Sequence, residues 1–178
     1  MRIVVVGTSG AGKTTMAKNI ASALHLPCIE LDRLHWEPNW EALTETNPDE
    51  FVRRVSTAIS ADAWVSDGNY AVVRDLIWRR ATHLVWLDYP RAVIMYRVVK
   101  RSIARALSQE ELWAGNREDW RHWLRPSHPI RWAWSTWKAR RSQFEQLLTG
   151  CQYRHLVVLR LRTPRDASSV ADEIKLTA

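Results

Sequence analysis

Short β-branched runs alternate along this chain with stretches whose apolar residues recur every three to four positions. Arg2-Ile-Val-Val-Val6 opens with a run typical of a buried strand. From Lys13 onward, Met16, Ile20 and Leu24 share one face of a helix. Pro27 to Leu31 reads as a second strand, followed by a loop from Asp32 to about Asn47, punctuated by Pro38 and Pro48. Phe51, Val55 and Ile59 mark a helix, Ala63 to Ser66 a third strand closed by Asp67-Gly68, and Val73 to Arg80 a short helix. His83 to Leu87 is a fourth strand, ended by Asp88-Tyr89-Pro90, and a long helix runs from about Arg91 to Leu107. The region from Ser108 to Pro129 is less regular. Ile130, Trp134, Trp137, Phe144 and Leu148 then fall on one stripe and predict a packed helix, with Trp132 off the stripe and exposed or at an interface. His155 to Leu159 is a fifth strand, and Pro164 to Ile174 a last helix with Thr163 as N-cap. Strands alternating with helices predict a five-stranded parallel sheet covered on both faces.

Between the first strand and the first helix lies Gly7-Thr-Ser-Gly-Ala-Gly-Lys-Thr14, a complete phosphate-binding loop. Gly7, Gly10 and Gly12 permit close backbone approach. The helix start presents free N–H groups and the positive dipole end to an anion. Gly7, Gly10, Ala11, Gly12, Lys13, Thr14 and Thr15 are therefore the expected nucleotide-binding residues, with Lys13 reaching the β- and γ-phosphates and Thr14 ligating Mg²⁺.

The length of 178 residues predicts one domain, with an Arg- and Trp-rich lid region around 91–140. No apolar run approaches the length of a membrane span. An N-terminal strand leading straight into a phosphate loop is unlike a signal peptide, so a cytoplasmic protein is expected. The only cysteines, Cys28 and Cys151, are expected to be small buried residues rather than a disulfide or metal site. The net charge is +7, and 21 of the 26 basic residues are Arg. That excess suggests a phosphate-rich ligand without distinguishing a nucleotide from a nucleic acid. Six of the eleven tryptophans crowd the stretch from Trp113 to Trp137.

Several residues resemble a known family. Leu31-Asp-Arg-Leu-His-Trp-Glu-Pro-Asn-Trp40, Trp64-Val-Ser-Asp-Gly-Asn-Tyr70 and Glu111-Leu-Trp-Ala-Gly-Asn-Arg-Glu118 follow the phosphate loop in order. Over nearly its whole length the chain resembles the adenylate-kinase-related P-loop proteins often labelled DNA topology modulation proteins (FlaR-like). The resemblance implies the fold of small nucleoside monophosphate and shikimate-type kinases. It also implies that an acid after the second strand, here Asp32, binds or deprotonates the acceptor hydroxyl. By position, Arg162 in the Arg162-Thr163-Pro164 loop would help hold the adenine ring.

The remaining candidates follow from placement. Asp32 and Asp67 sit just past strand ends, where open α/β sheets bind ligands. Asp67 would orient Mg²⁺ or contact the acceptor, or simply form the Asp-Gly turn. His35, Trp36 and Trp40 occupy a loop that carries acceptor specificity, and the tryptophans either stack on a planar ring or cover the second strand. Asn69 and Tyr70 would supply polar contacts to the acceptor, and Arg74 would hold its phosphate or carboxylate. Arg97, Arg101 and Arg105, spaced four apart, share one helix face. A stripe of like charge suits a lid closing over the transferring phosphoryl, with Arg97 and Arg101 as the catalytic pair, or else a solvated basic face. Arg117 and Arg121 form a weaker pair.

The function expected is a P-loop kinase that moves the γ-phosphoryl of Mg²⁺-bound ATP to a nucleoside monophosphate or a small hydroxyl metabolite. The alternative is an ATP-dependent nucleic-acid-binding protein, suggested by arginine interleaved with tryptophan. A third is a nucleotide binder without efficient chemistry. A GTPase is disfavoured, since no Asn-Lys-x-Asp segment occurs.

Overall fold

The computed structural model describes residues 1–108, 111–117 and 128–177. Five parallel strands form the main sheet: β1 (Arg2–Gly7), β2 (Cys28–Glu30), β5 (Trp64–Asp67), β6 (His83–Leu87) and β7 (Val157–Leu161), in the order β2-β5-β1-β6-β7. Between them run α1 (Lys13–Leu24), α4 (Pro48–Ala58), α5 (Ala71–Arg80), α6 (Arg91–Ser108) and α7 (Pro129–Thr149), and α8 (Val170–Leu176) closes the chain.

Strand β1 shows why the sequence folds this way. Its β-branched residues are buried on alternate faces, Ile3 and Val5 with α1, α6 and α8, Val4 and Val6 with α4 and α5. Neither face tolerates a polar residue, so the strand reads as an unbroken apolar run. The first cluster gathers Ile20, Val85, Leu87, Ile94, Val98 and Ile174; the second gathers Phe51, Val55, Trp64, Ile77, Trp78 and Trp86. Because all five strands are parallel, their C-terminal ends share one edge, and Gly7, Glu30 and Asp67 meet there.

Several expectations need correction. The segment from Asp32 to Asn47 is not a loop. It holds α2 (Leu31–His35), a small antiparallel hairpin of β3 (Trp36–Glu37) and β4 (Glu41–Ala42) around a 3-10 turn, and α3 (Leu43–Thr46). The fifth strand lies two residues later than expected. The last helix is split into a 3-10 turn (Pro164–Ser168) and α8, although Thr163 does form a capping box with Asp166. On α7 the buried residue beside Ile130 and Trp137 is Ala133, not Trp134, which is 59% exposed with its ring against the Arg91 guanidinium. Alanine lets the helix approach the core where an indole has no room. Trp132 is exposed, as its position off the stripe implies. Cys28 and Cys151 are both free and exposed, because Cys28 begins an edge strand and Cys151 follows the end of α7. Trp120, Trp123, Glu118 and Arg121 lie outside the described residues. Among the described residues, no helix is long and apolar enough to cross a membrane.

Candidate active site

A cavity of about 2090 Å³ opens at the C-terminal edge of the sheet. Its floor is the phosphate loop. Gly12, in the left-handed region, caps the start of α1, and Ala11 N–H donates to Thr8 O at 3.0 Å. Gly10 is pressed against α6: a Cβ there would lie 2.9 Å from the Val98 Cβ and 3.1 Å from Ile94 O. Only glycine lets the loop sit under that helix, and its φ of +86° suits glycine too.

The Lys13 ammonium donates to Thr8 O at 3.3 Å. Burial lowers its pKa; Asp32 and Asp67 pull it back up, and Arg101 and Arg140 push it further down. The Thr14 hydroxyl donates to the Asp67 carboxylate. Burial raises the Asp67 pKa, opposed by that hydrogen bond and by Lys13. Thr14 and Thr15 line the cavity.

A second wall of the cavity is built on the chain after β2. Asp32 lines the cavity from the first turn of α2, and its Oδ1 accepts the Tyr70 hydroxyl at 2.5 Å. Burial, and then the Asp32 charge, hold the Tyr70 phenol well above its usual pKa, so it stays a donor. Trp36 and Trp40 line the cavity as an edge-to-face pair, ring centres 5.3 Å apart. His35 does not line it. The ring is 3% exposed, packed among Trp36, Phe51 and Tyr70, with Nε2 2.9 Å from the Thr44 hydroxyl. It supports the tryptophan and tyrosine from behind.

The arginines divide. Arg97, Arg101 and Arg105 all face the cavity from α6. Arg97 donates to Ala11 O at 2.8 Å and lies 5.0 Å from the Tyr89 ring centre, bracing the phosphate loop. Arg105 lies 5.8 Å from the ring centre of Trp113. Arg74 does not line the cavity, and its guanidinium lies 5.9 Å from the Trp78 ring centre. Arg140 comes from α7. It lines the cavity, donates to Asn69 O at 3.2 Å, and has a pKa lowered by burial and by Arg74. Asn69 borders the same wall. Arg162 is exposed and outside the wall; Ala167 of the following turn edges the cavity instead. Arg117 lies 3.9 Å from Glu111 at the mouth.

Two residues went unassigned from sequence. Arg140 sits mid-helix beside Arg141, where nothing separates a site arginine from a surface one. Asn116 lies in the quoted Glu111–Glu118 segment, yet an asparagine beside a glycine reads as a turn former. In the structure it is 5% exposed and fully hydrogen-bonded.

Among the described residues, no group of three or more His, Cys, Asp or Glu side chains converges as a metal site. A hydroxyl and one carboxylate beside a phosphate cradle is a sparse donor set. It suits Mg²⁺, which keeps waters and shares the ligand's phosphates.

The model of the shikimate kinase family matches residues 9–122 of the chain, more than half of it. Among solved structures, shikimate kinase from Acinetobacter baumannii, in complex with shikimate, is similar at 18% identity and a TM-score of 0.60, over 99% of this chain and 91% of that one. Shikimate kinase from Bacteroides thetaiotaomicron is 17% identical, with a TM-score of 0.58 over 99% and 97%. A gluconokinase from Sinorhizobium meliloti is 18% identical, with a TM-score of 0.50 over 99% and 97%. At these identities the structures share the fold. No curated protein matches the chain.

Proposed function

Since the chain belongs to the shikimate kinase family, it is a P-loop small-molecule kinase that uses ATP, and we propose that Asp32 activates the hydroxyl of its acceptor. The observation that carries this reading is that Asp32, Arg97 and Arg101 line the same cavity as the phosphate loop, with Asp32 and Arg101 both acting on the charge of Lys13. Tyr70 occupies Asp32 Oδ1, which leaves Oδ2 for the acceptor. The acceptor O–H proton passes to that oxygen, the acceptor oxygen bonds to the γ-phosphorus, and the bond from that phosphorus to the β–γ bridging oxygen breaks to release ADP. Lys13 and Arg101 counter the charge on the moving phosphoryl, and Arg97 keeps the cradle in place. Thr14 and Asp67 would hold Mg²⁺, which neutralises the β- and γ-oxygens when bound. Arg140, half-desolvated and aimed into the acceptor wall, would pair with an anionic group on the acceptor. Trp36, Trp40 and Tyr70 would cover its ring face. The Asp32–Trp40 and Asp67–Tyr70 segments support placing the chain with the DNA topology modulation group of these kinases, acting in the cytoplasm on a small molecule rather than on nucleic acid.

Turnover of ATP to ADP with Mg²⁺ tests this against shikimate, gluconate, nucleoside monophosphates and single-stranded DNA. One small hydroxyl compound should stimulate turnover, and Lys13→Ala should lower kcat about 100- to 1000-fold with the fold intact. Stimulation by DNA alone, or full turnover by Lys13→Ala, would overturn the assignment.

A further inference from the structure

The hairpin bearing Trp36 and Trp40 is not part of the main sheet: β3 pairs with β4. What ties it to the nucleotide side is the Asn116 amide. Asn116 Oδ1 accepts the Trp40 N–H at 2.8 Å, while Nδ2 donates to Glu37 O and to Trp113 O, each at 2.9 Å. Both Nδ2 hydrogens are thus used. Glu37 and Trp40 bracket the tight turn of the hairpin, where Asn39 and Trp40 have φ of 62° and 59°. Such a turn of non-glycine residues needs outside support, and the amide supplies it like a strand edge would. Trp40 Nε1 adds a bond to Arg117 O at 3.2 Å, and Leu112 N–H one to Asn116 O at 2.7 Å.

The same segment touches the arginine helix. Trp113 lies beneath the Arg105 guanidinium. One and two turns back along that face are Arg101 and Arg97, the latter bonded to the phosphate loop. The contacts therefore run without a break from loop to α6, to Trp113, to Asn116 and to the hairpin. We propose that Asn116 is a positioning residue that couples nucleotide binding to the order of the acceptor-side hairpin. Phosphates that draw the α6 arginines inward also settle Trp113, and the amide passes that order to Trp36 and Trp40. By linkage, an acceptor held on the hairpin favours nucleotide binding by the same factor. The inference rests on the kinase reading of the site.

Amide hydrogen exchange of the whole protein, with and without Mg²⁺-ADP, tests it. In wild type, the nucleotide should slow exchange of the phosphate-loop amides and also of Trp40 and Leu112, the latter by about fivefold or more. Asn116→Ala should keep Mg²⁺-ADP affinity within about threefold yet lose the slowing at Trp40 and Leu112. Asn116→Asp guards against an unfolded alanine variant. It keeps an acceptor for Trp40 N–H, lacks both donors, and should lose the slowing as well. Slowing at Trp40 that survives both substitutions arises from direct contact and overturns the coupling. So does hairpin exchange that rises equally with and without nucleotide in the variants, the mark of a purely structural residue. A wild-type hairpin indifferent to Mg²⁺-ADP overturns it without any variant. Unchanged phosphate-loop exchange would instead overturn the nucleotide reading beneath it.

Discussion

Tyr70 and His35 stand one behind the other at the cavity wall, their ring centres 4.4 Å apart. They make separate demands on the chemistry. Tyr70 fixes the rotamer of Asp32 by donating to one carboxylate oxygen. Tyr70→Phe keeps the ring packing and frees the carboxylate to turn, so kcat should fall about tenfold while the KM for ATP holds, measured by ADP release. His35 is buried, and desolvation depresses its pKa below the ordinary 6.5, with Asp32 and Glu45 opposing in part. The folded protein therefore binds this proton less readily than the unfolded chain does. Its stabilising effect is complete above pH 6.5 and is lost as pH falls through 6.5 toward the depressed value. Asp67 has the opposite sign: its raised pKa makes stability fall as pH rises from 3.8 toward the folded value. Urea midpoints taken at about pH 7.5 and about pH 5.5 should drop further in wild type than in His35→Gln. Equal drops would remove His35 from the pH response.

At the scale of elements, α6 is held to the phosphate loop from both directions. Gly10 lets Val98 and Ile94 approach, and Arg97 reaches back to Ala11 O. Gly10→Ala forces a methyl group into that contact and a left-handed φ on alanine. It should cost about 1–3 kcal/mol in urea unfolding and raise the KM for ATP about tenfold, since the cradle and the arginine helix separate together. This junction was half legible in the sequence. The Gly-Thr-Ser-Gly-Ala-Gly-Lys-Thr spacing, the β-branched run before it and the Arg97–Arg101–Arg105 interval are local signals, and each led to the element observed. Local signals failed where distant contacts decide. The short strands at Trp36 and Glu41 have two residues each, and their turn is bonded to Asn116, far along the chain. Trp134 has the spacing of a core residue, but the close approach of α7 at Ala133 turns the stripe by one position.

For the molecule as a whole, the arginine excess resolves into separate uses. Arg97, Arg101, Arg105 and Arg140 face the cavity. Others are bound into the frame: Arg160 and Arg141 meet the buried Asp88 and the part-exposed Glu145, joining the ends of β6 and β7 to α7, and Arg53 and Arg54 hold Glu50 on α4. A nucleotide that engages Lys13 and the α6 members of that first group binds only the folded state. At about 100 times its Kd it should add about 2.7 kcal/mol, which for a chain of this size is a rise in Tm of about 5–10 °C. Thermal scans with Mg²⁺-ATP should show that rise in wild type and little of it in Lys13→Ala.

The hairpin from Trp36 to Ala42 pairs with itself and rests on the Asn116 segment rather than on the parallel sheet. Its removal would break no ladder of the frame that carries the donor machinery. Where the hairpin covers the acceptor, as proposed above, selectivity is portable in this architecture. On the proposed acceptor role, exchanging that cassette together with the 111–117 strip that clasps it should retarget the enzyme to another alcohol, while the phosphate loop and the five strands beneath it stay in place.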